Sequence, residues 1–176
     1  FVDEAYLELA DKGLYHSMAK LVSKGKDVIV TRTFSKIHGM AGLRMGYMIA
    51  KPERIDQINK ITRGGMGISG PTIMAATSSL DDVDFLTKCK NKIASTRKYT
   101  INKLISRGFT PMPSKTNFLI FELPENIDPN QFLTKMYAKK VSVKALKFWN
   151  KNWCRVSVGT KNSMDIFFSA FDEAVA

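Results

Sequence analysis

TRTFSKIHGMAGLRMGY, residues 31–47, brings together the side chains that can hold an anion beside a carbonyl group. Thr33 and Ser35 provide hydroxyl groups, Lys36 provides an amine, and Arg44 provides a guanidinium group. A lysine attacks a carbonyl only as the free amine, so catalytic lysines lie near other cations or in dry pockets. Arginine offers phosphate a planar two-pronged contact, and each hydroxyl offers one donor. The stretch therefore predicts a loop that binds an anion and a carbonyl together.

Three glycines in this loop, Gly39, Gly42 and Gly46, allow the backbone to approach a ligand closely and to adopt positive φ angles. Lysine and arginine are nevertheless frequent in this chain, which has 27 of them among 176 residues. A serine beside a lysine in a glycine-containing loop is usually solvated surface, and short motifs often match by chance. The loop taken alone leaves both interpretations open.

The first residues of the chain, FVDEAY, supply a second group of candidates. Residues 1–2 are typical of the end of a buried strand, so Asp3 falls where strands of an α/β sheet deliver functional groups. The apolar, β-branched run at 27–31 predicts a buried parallel strand that leads into the Lys36 loop. Without the lysine, Asp3 and Tyr6 would indicate only a turn at a strand end with a surface tyrosine.

These motifs together resemble those of a known enzyme family. Asp3 with Tyr6, then Thr33-Phe34-Ser35-Lys36 and then Arg44 occur in the order and with nearly the spacing of the fold-type I, pyridoxal-phosphate-dependent aminotransferases of class I/II. The histidinol-phosphate aminotransferase group is especially similar, with motifs that run like VDEAY and SKxxGxAGLRxGY. The resemblance covers essentially the whole chain. It implies an α/β fold, part of the aminotransferase large domain with a mainly parallel sheet and helices, followed by a smaller α+β C-terminal domain.

The resemblance assigns a role to each candidate. Lys36 would form the Schiff base with pyridoxal 5′-phosphate and, once released by substrate, would move the proton of the substrate α-carbon. Asp3 would pair with the pyridine nitrogen and keep the ring an effective electron sink. Tyr6 would hydrogen-bond the phenolic oxygen of the cofactor. The cofactor phosphate would be held by three residues: Thr33, Ser35 and Arg44.

Arg155 is the candidate in the second half of the chain. Within CRVSVGT it resembles the family arginine that binds the substrate α-carboxylate, a task suited to the guanidinium fork. Taken alone, it would be interpreted as a strand-edge arginine in a surface ion pair. Asn117 would either border the same site or make structural hydrogen bonds. Lys144 stands where the histidinol-phosphate group usually has an arginine for the substrate phosphate, which leaves histidinol phosphate in question as the substrate.

The resemblance implies transfer of an amino group between an amino acid, either histidinol phosphate or an aromatic one, and a 2-oxo acid in a homodimer. Another fold-type I reaction, decarboxylation or C–S lysis, stays open because the same lysine and electron sink would serve it. A non-enzymatic alternative is the aminotransferase-like effector domain of a transcriptional regulator. Family motifs that precede the Asp3 strand are absent from these 176 residues, so we expect them to be inactive on their own.

The composition argues against three classes of protein: membrane-spanning, secreted and metal-binding proteins. No apolar run approaches eighteen residues, so no membrane span is expected, and no signal peptide is recognisable. Cys89 and Cys154 form no CxxC pair, which fits a reducing cytoplasm. His16 and His38 are too few and too far apart to predict a metal site. For His38, which lies in the Lys36 loop, the alternatives are a role beside the cofactor and a hydrogen bond to the backbone, and we expect the second.

The formal charge of +11 raises the question of nucleic-acid binding, because clustered cations displace counterions from phosphates. The best candidate is 139–155, where lysines alternate with Phe148, Trp149 and Trp153, and aromatic side chains can stack on bases. However, residues 141–143 alternate like a half-buried strand. We therefore expect a solvated basic edge and no nucleic-acid partner.

The remaining pattern divides the chain into three parts. We predict that 1–80 is the C-terminal part of the cofactor-binding large domain, that 81–107 is a long connecting helix ended by Gly108, and that 108–176 is the small domain. Within the small domain the predicted elements are a strand at 117–121, a helix from Asp128-Pro129 to 139, strands at 141–143 and 154–158, and a helix after Thr160 that reaches 168.

Three further predictions fall within residues 1–80. Residues 45–50 are predicted to form another buried strand. Pro52 begins a helix with three apolar residues on one face, Ile55, Ile58 and Ile61. The glycine-rich segment 64–71 suits a phosphate cradle or a mobile loop, although it lacks the Lys of a P-loop. In the resembled family this segment lies near the dimer interface.

Overall fold

The structure is a computed structural model that describes residues 1–62 and 66–176. Gly64 and Gly65 of the glycine-rich segment lie outside the described residues. The chain divides into two compact units, Phe1–Lys90 and Asn91–Ala176. A search of the described helices finds none that is long and apolar enough to cross a membrane.

The first unit is built on a small mixed sheet of three strands: β1 (Val2–Asp3), β2 (Val30–Thr33) and β3 (Gly46–Ile49). β1 and β2 are parallel, with Asp3 opposite Thr31, whereas β2 and β3 are antiparallel, with Thr33 opposite Gly46. A glycine is required at 46 because a Cβ atom there would lie 2.8 Å from the carbonyl oxygen of Arg32. Since β1 and β2 are parallel, their carboxyl ends lie side by side.

Short helices complete the first unit: α1 (Ala19–Ser23), α2 (Pro52–Asn59), α3 (Gly70–Asp81) and three 3-10 turns at Leu7–Leu9, Gly13–His16 and Ala41–Leu43. Pro52 lies in the first turn of α2, as predicted. Ser69 caps α3, since its hydroxyl accepts a hydrogen bond from the backbone N–H of Thr72. The apolar face predicted for α2 is shorter than expected, because the helix ends before Ile61, which is 86% exposed.

Three predictions for the first sheet need correction. Phe1 is 84% exposed and lies outside β1, so it is not the interior of a buried strand. β2 begins at Val30, three residues later than the start of the predicted strand at 27–31. β3 contains no fully buried residue because, within the described residues, it pairs only with β2 and has a free edge.

The second unit packs helices on an antiparallel sheet. Its elements are α4 (Val83–Ile105, which begins in the first unit), β4 (Phe118–Leu123), α5 (Pro129–Ala138), β5 (Lys144–Phe148), β6 (Lys151–Ser157) and α6 (Lys161–Val175). The strand order is β4-β6-β5. The end predicted for α4 is confirmed, because Gly108 has a φ angle of 81° and its N–H donates to the carbonyl of Ile105. Asp128 caps α5 by accepting from the N–H of Gln131.

Most of the basic stretch at 139–155 belongs to a hairpin of residues 144–157, which the sequence prediction missed. Residues 141–143 are not a strand; β5 starts at Lys144 and is joined to β6 by the two-residue turn of Trp149 and Asn150. Both turn residues have positive φ angles, 52° and 57°, which a glycine or asparagine would normally signal. Because Trp149 occupies the first turn position, the sequence does not have the usual pattern of a two-residue hairpin turn.

The core of the second unit is aromatic. Alternation along β4 buries Leu119, Phe121 and Leu123 on the face that meets α5 and α6. Phe171 of α6 is completely buried, and its ring centroid lies 5.6 Å from that of Phe121. Its other ring neighbours lie within 6.0 Å: Phe109, Phe132 and Phe167. The core covers one face of the sheet. Arg155 lies on the other face, because it is opposite Ile120 and not opposite Leu119 or Phe121.

Candidate functional site

The carboxyl ends of β1 and β2 bring the first candidates together. Asp3 ends β1 and is exposed, and one of its carboxylate oxygens accepts a hydrogen bond from the N–H of Ala5 at 2.9 Å. Tyr6 follows in the turn after β1, and Lys36 follows β2. The Nζ atom of Lys36 lies 5.0 Å from the centroid of the Tyr6 ring. The tertiary structure therefore places the amine beside the tyrosine, although more than two dozen residues separate them in sequence.

Backbone hydrogen bonds shape the loop that carries Lys36. The N–H of Phe34 donates to the carbonyl of Met45 at 3.1 Å, and the N–H of Met40 donates back to Phe34 at 2.9 Å. The N–H of Gly39 closes a turn on the carbonyl of Lys36 at 3.0 Å, and Gly39 has a φ angle of 71°. A side chain would strain the backbone at this position. The lysine is thus presented on an ordered turn.

The hydroxyl and guanidinium candidates lie in the same loop. The hydroxyl of Thr33 accepts a hydrogen bond from the N–H of Ser35 at 3.1 Å and donates to the carbonyl of Met45 at 3.4 Å. Arg44 is exposed and has a φ angle of 52°, a left-handed conformation that is uncommon for arginine. Its guanidinium group donates to the carbonyl of Ala41 at 2.8 Å, which uses one of its five N–H donors. The other donors are available for an anion.

His38 differs from its prediction. Its Nδ1 atom lies 2.7 Å from the hydroxyl of Ser79, so the partner is a side chain of α3 and the predicted backbone bond is wrong. Its Nε2 atom is buried, lies 3.6 Å from a carboxylate oxygen of Glu8, and has no hydrogen-bond partner among residues 1–62 and 66–176. His38 and Ile37 line an open cleft of about 500 Å³ that Lys36 does not line. This cleft is separate from the amine.

A buried network behind β1 and β2 was not predicted. Glu4, the residue after Asp3, receives the guanidinium of Arg32, with 3.1 Å between Nε and the carboxylate. The same carboxylate accepts the hydroxyl of Ser17 at 2.8 Å. The sequence contained a signal for this network, because Glu4 follows the predicted site residue Asp3 and Arg32 precedes Thr33. Neighbouring residues of a strand project from opposite faces of the sheet, so Glu4 and Arg32 share the face away from the predicted site.

Arg155 lies in β6 of the second unit. Its register partners are Lys144 on β5 and Ile120 on β4, so Arg155 and Lys144 share a face of the sheet. The guanidinium carbon lies 4.0 Å from the centroid of the Phe118 ring. The Nε atom is buried and has no hydrogen-bond partner in the described part of the chain. Arg155 is a partly buried residue whose buried Nε–H is unused, so the guanidinium group has a donor left for a ligand.

Asn117 has a structural role that can be observed directly. Its carbonyl oxygen accepts a hydrogen bond from the N–H of Val158 at 2.8 Å, which extends the pairing of β4 and β6 by one residue. This bond involves the main chain of Asn117, so the prediction for its side chain stays a prediction.

An amine beside a tyrosine at the ends of parallel strands, with hydroxyls and a guanidinium in the adjoining loop, is typical of enzymes that hold a phosphorylated carbonyl cofactor on a lysine. The chain belongs to the aminotransferase class I and II family, whose family model matches residues 1–171. The predicted family and fold class are therefore confirmed.

The chain is also similar in sequence or in fold to individual proteins. The chain is 31% identical over 175 residues to the histidinol-phosphate aminotransferase of Oleidesulfovibrio alaskensis, which covers 98% of this chain and 45% of that protein. The crystal structure of histidinol-phosphate aminotransferase from Sinorhizobium meliloti in complex with pyridoxal-5′-phosphate matches with a TM-score of 0.87 and 28% identity, covering 99% of this chain and 48% of that one. A decarboxylase from Sulfurospirillum multivorans shares the fold, with a TM-score of 0.80 and 18% identity, over 99% of this chain and 52% of that one. The chain spans about half the length of the curated relatives that it matches.

Proposed function

We propose that this chain is the Lys36-bearing part of a pyridoxal-phosphate-dependent aminotransferase. The observation that carries the proposal is the position of Lys36 Nζ, 5.0 Å from the Tyr6 ring at the shared ends of β1 and β2. Membership of the class I and II family supports it. The donor set fits the cofactor, because the first unit offers an amine for its aldehyde, a carboxylate for its ring nitrogen and three donors for its phosphate.

Each residue has a chemical task in this proposal. Lys36 Nζ, as the free amine, would bond to the carbon of the cofactor aldehyde with loss of water. When substrate replaces it, the freed amine would take the proton from the substrate α-carbon and deliver it to the carbon that came from the aldehyde. The Tyr6 hydroxyl donates to the phenolic oxygen. Asp3 accepts from the ring N–H with the carboxylate oxygen that does not bind Ala5. Pyridoxal phosphate, when bound, supplies the electron sink for the negative charge that develops at the α-carbon.

The phosphate is proposed to bind at the loop between β2 and β3. Arg44 contributes a planar pair of charged donors, and its exposed position leaves them accessible. Ser35 contributes a hydroxyl donor just after β2, and the Thr33 hydroxyl, which donates to the carbonyl of Met45 at 3.4 Å, would turn to the phosphate when it binds. Ser35 and Arg44 lie in the loop that the Phe34 and Met40 backbone bonds order.

Arg155 is proposed to bind the carboxylate of an amino-acid or 2-oxo acid substrate. Its unused buried Nε donor and its guanidinium fork suit that group. Lys144 lies beside it on the same face and would offer a second negative group a point charge, not a two-pronged contact. We propose histidinol phosphate or an aromatic amino acid as the amino donor. Product analysis on the intact protein separates transamination from decarboxylation and C–S lysis.

We further propose that the intact protein is a homodimer in the cytoplasm. Met66 and Met74, which flank the start of α3, are 77% and 73% exposed, and Ile61 is also exposed. Exposed large apolar side chains are a feature that protein interfaces cover. Both cysteines are free thiols, which suits a reducing compartment.

The test is covalent trapping of the cofactor on the intact protein. Wild-type protein reconstituted with pyridoxal phosphate is expected to absorb visible light, to lose this absorbance with borohydride, and to carry the reduced adduct on Lys36 in peptide mass analysis. Lys36→Ala should lack both signals, whereas Lys26→Ala, a control at an exposed lysine of the same unit, should keep both. A colourless wild type after reconstitution would refute the enzyme proposal.

A further inference from the structure

The face of β1 and β2 that points away from the candidate cofactor residues carries a buried ion pair. Arg32 Nε lies 3.1 Å from Glu4 Oε2, and the two side chains are only 13% and 4% exposed. Neither residue belongs to the set that would touch the cofactor. A pair so far removed from water needs a full set of hydrogen bonds to be tolerated.

The hydrogen bonds of this pair are nearly complete. The Glu4 carboxylate accepts the Ser17 hydroxyl at 2.8 Å and the Met18 N–H at 2.7 Å. Arg32 donates a second N–H to the Ser17 hydroxyl at 2.8 Å and a third to the Tyr47 hydroxyl at 3.3 Å. Burial opposes the charge on Arg32, but the bonds to Tyr47 and Glu4 outweigh it and raise the pKa of the guanidinium. The network joins β1, β2 and β3 to the segment before α1.

The sequence positions of the two residues give this network its significance. Glu4 directly follows Asp3, and its N–H donates to the carbonyl of Thr31 at 2.9 Å, so it continues β1. Arg32 directly precedes Thr33 in β2. Because successive residues of a strand project to opposite faces, fixing Glu4 against Arg32 on one face fixes Asp3 relative to Thr33 on the other.

We propose that Glu4 and Arg32 are positioning residues for the cofactor site. They hold Asp3, the proposed partner of the ring nitrogen, at a fixed distance from Thr33, a proposed partner of the phosphate. The inference rests on the proposed function. Ser17 belongs to the same support, since its hydroxyl contacts both members of the pair. The pair touches neither substrate nor cofactor and acts through Asp3 and Thr33.

The energetics distinguish this role from ordinary structural support. Removing one partner leaves the other charge buried and unpaired, whereas removing both charges leaves neutral groups that can still hydrogen-bond. Glu4→Gln and Arg32→Gln should therefore each perturb the site more than the double variant does. A purely structural pair would lower the melting temperature but leave the cofactor properties of the folded protein unchanged.

The experiment uses the intact protein and pyridoxal phosphate, at a temperature where every variant is folded. The cofactor dissociation constant and the pH midpoint of the visible absorbance are measured for wild type, the two single variants and the double variant. Asp27→Asn is the control, because it breaks another ion pair of the first unit, with Arg54, that is exposed. Where a glutamine variant does not fold, Glu4→Asp and Arg32→Lys replace it, because each keeps the charge and alters the geometry.

We expect the single glutamine variants to weaken cofactor binding by about tenfold or more and to shift the pH midpoint, as is typical when supporting residues of a bound group are lost. The double variant should recover part of that loss, and Asp27→Asn should match wild type. Single variants that bind cofactor like wild type, with an unchanged pH midpoint, would overturn the positioning role and leave the proposed function intact. A wild type that binds no cofactor would overturn both.

Discussion

Replacing Arg155 by methionine is expected to stabilise the second unit while it weakens substrate binding. The buried Nε atom of Arg155 has no hydrogen-bond partner in the described chain, and such an unsatisfied donor costs about 1–3 kcal/mol. The contact of the guanidinium with the Phe118 ring, at 4.0 Å, returns about 0.5–2 kcal/mol. Methionine keeps an unbranched side chain, and its sulfur can regain about 0.3–1.5 kcal/mol against the same ring.

At the middle of these ranges the three terms give a net stabilisation of about 1.5 kcal/mol, and the loss of a cation beside Lys144 adds to it. For a unit of this size, a stabilisation of about 1.5 kcal/mol raises the melting temperature by about 6–12 °C. Trp149 and Trp153 are the two tryptophans of this chain, and both lie in the hairpin of the second unit. Their fluorescence during heating therefore reports the unfolding of that unit.

Substrate binding should become weaker in the same variant, although its second unit becomes more stable. A carboxylate that receives two charge-assisted hydrogen bonds from Arg155 loses about 3 kcal/mol or more in the variant, which raises KM for the amino acid about 100-fold. Lys147→Met is the matched control, because it removes an exposed cation from the neighbouring strand. It should leave both the melting temperature and KM near their wild-type values.

Two results would refute this reasoning. A variant Arg155→Met that is less stable than wild type by more than about 1 kcal/mol would mean that the guanidinium is satisfied and structural. A variant with an unchanged KM for every amino-acid substrate would mean that Arg155 does not receive the carboxylate.

Three further predictions concern the second unit and the two thiols of the chain. Phe171→Ala should lower the free energy of unfolding by about 3–5 kcal/mol in urea titrations, because the ring is fully buried among aromatic neighbours; a loss under about 1.5 kcal/mol would contradict the packing. The Arg107 hydrogen bond lowers the pKa of Asp172, so this half-exposed pair stabilises the fold above the unfolded carboxyl pKa, and its contribution disappears as pH falls through the lower folded pKa. Asp172→Asn should therefore cost less than about 1 kcal/mol near neutral pH and nothing in strong acid, as measured by melting at both pH values. Burial raises the pKa of Cys154 to about 12, so a thiol reagent should modify the partly exposed Cys89 first and Cys154 only after denaturation, which peptide mass analysis would show; equal labelling rates would contradict this burial.

Local chemistry was enough to predict several elements. The start of α2 at Pro52, the cap of α5 at Asp128 and the end of α4 near Gly108 follow from single residues with strong backbone preferences. The family itself was predictable because its motifs are short, ordered segments of sequence. The hairpin of β5 and β6 was missed because its turn contains Trp149, and a propensity argument assigns no turn to tryptophan.

The sequence by itself determined which chemical groups this protein possesses and in which order they occur, from Asp3 to Arg155. Only the tertiary structure decided that Lys36 lies beside Tyr6 and that Glu4 is paired with Arg32 behind them. The physical reason is that these contacts join strands far apart in the chain. Their register depends on which faces are buried, and no local backbone preference encodes that.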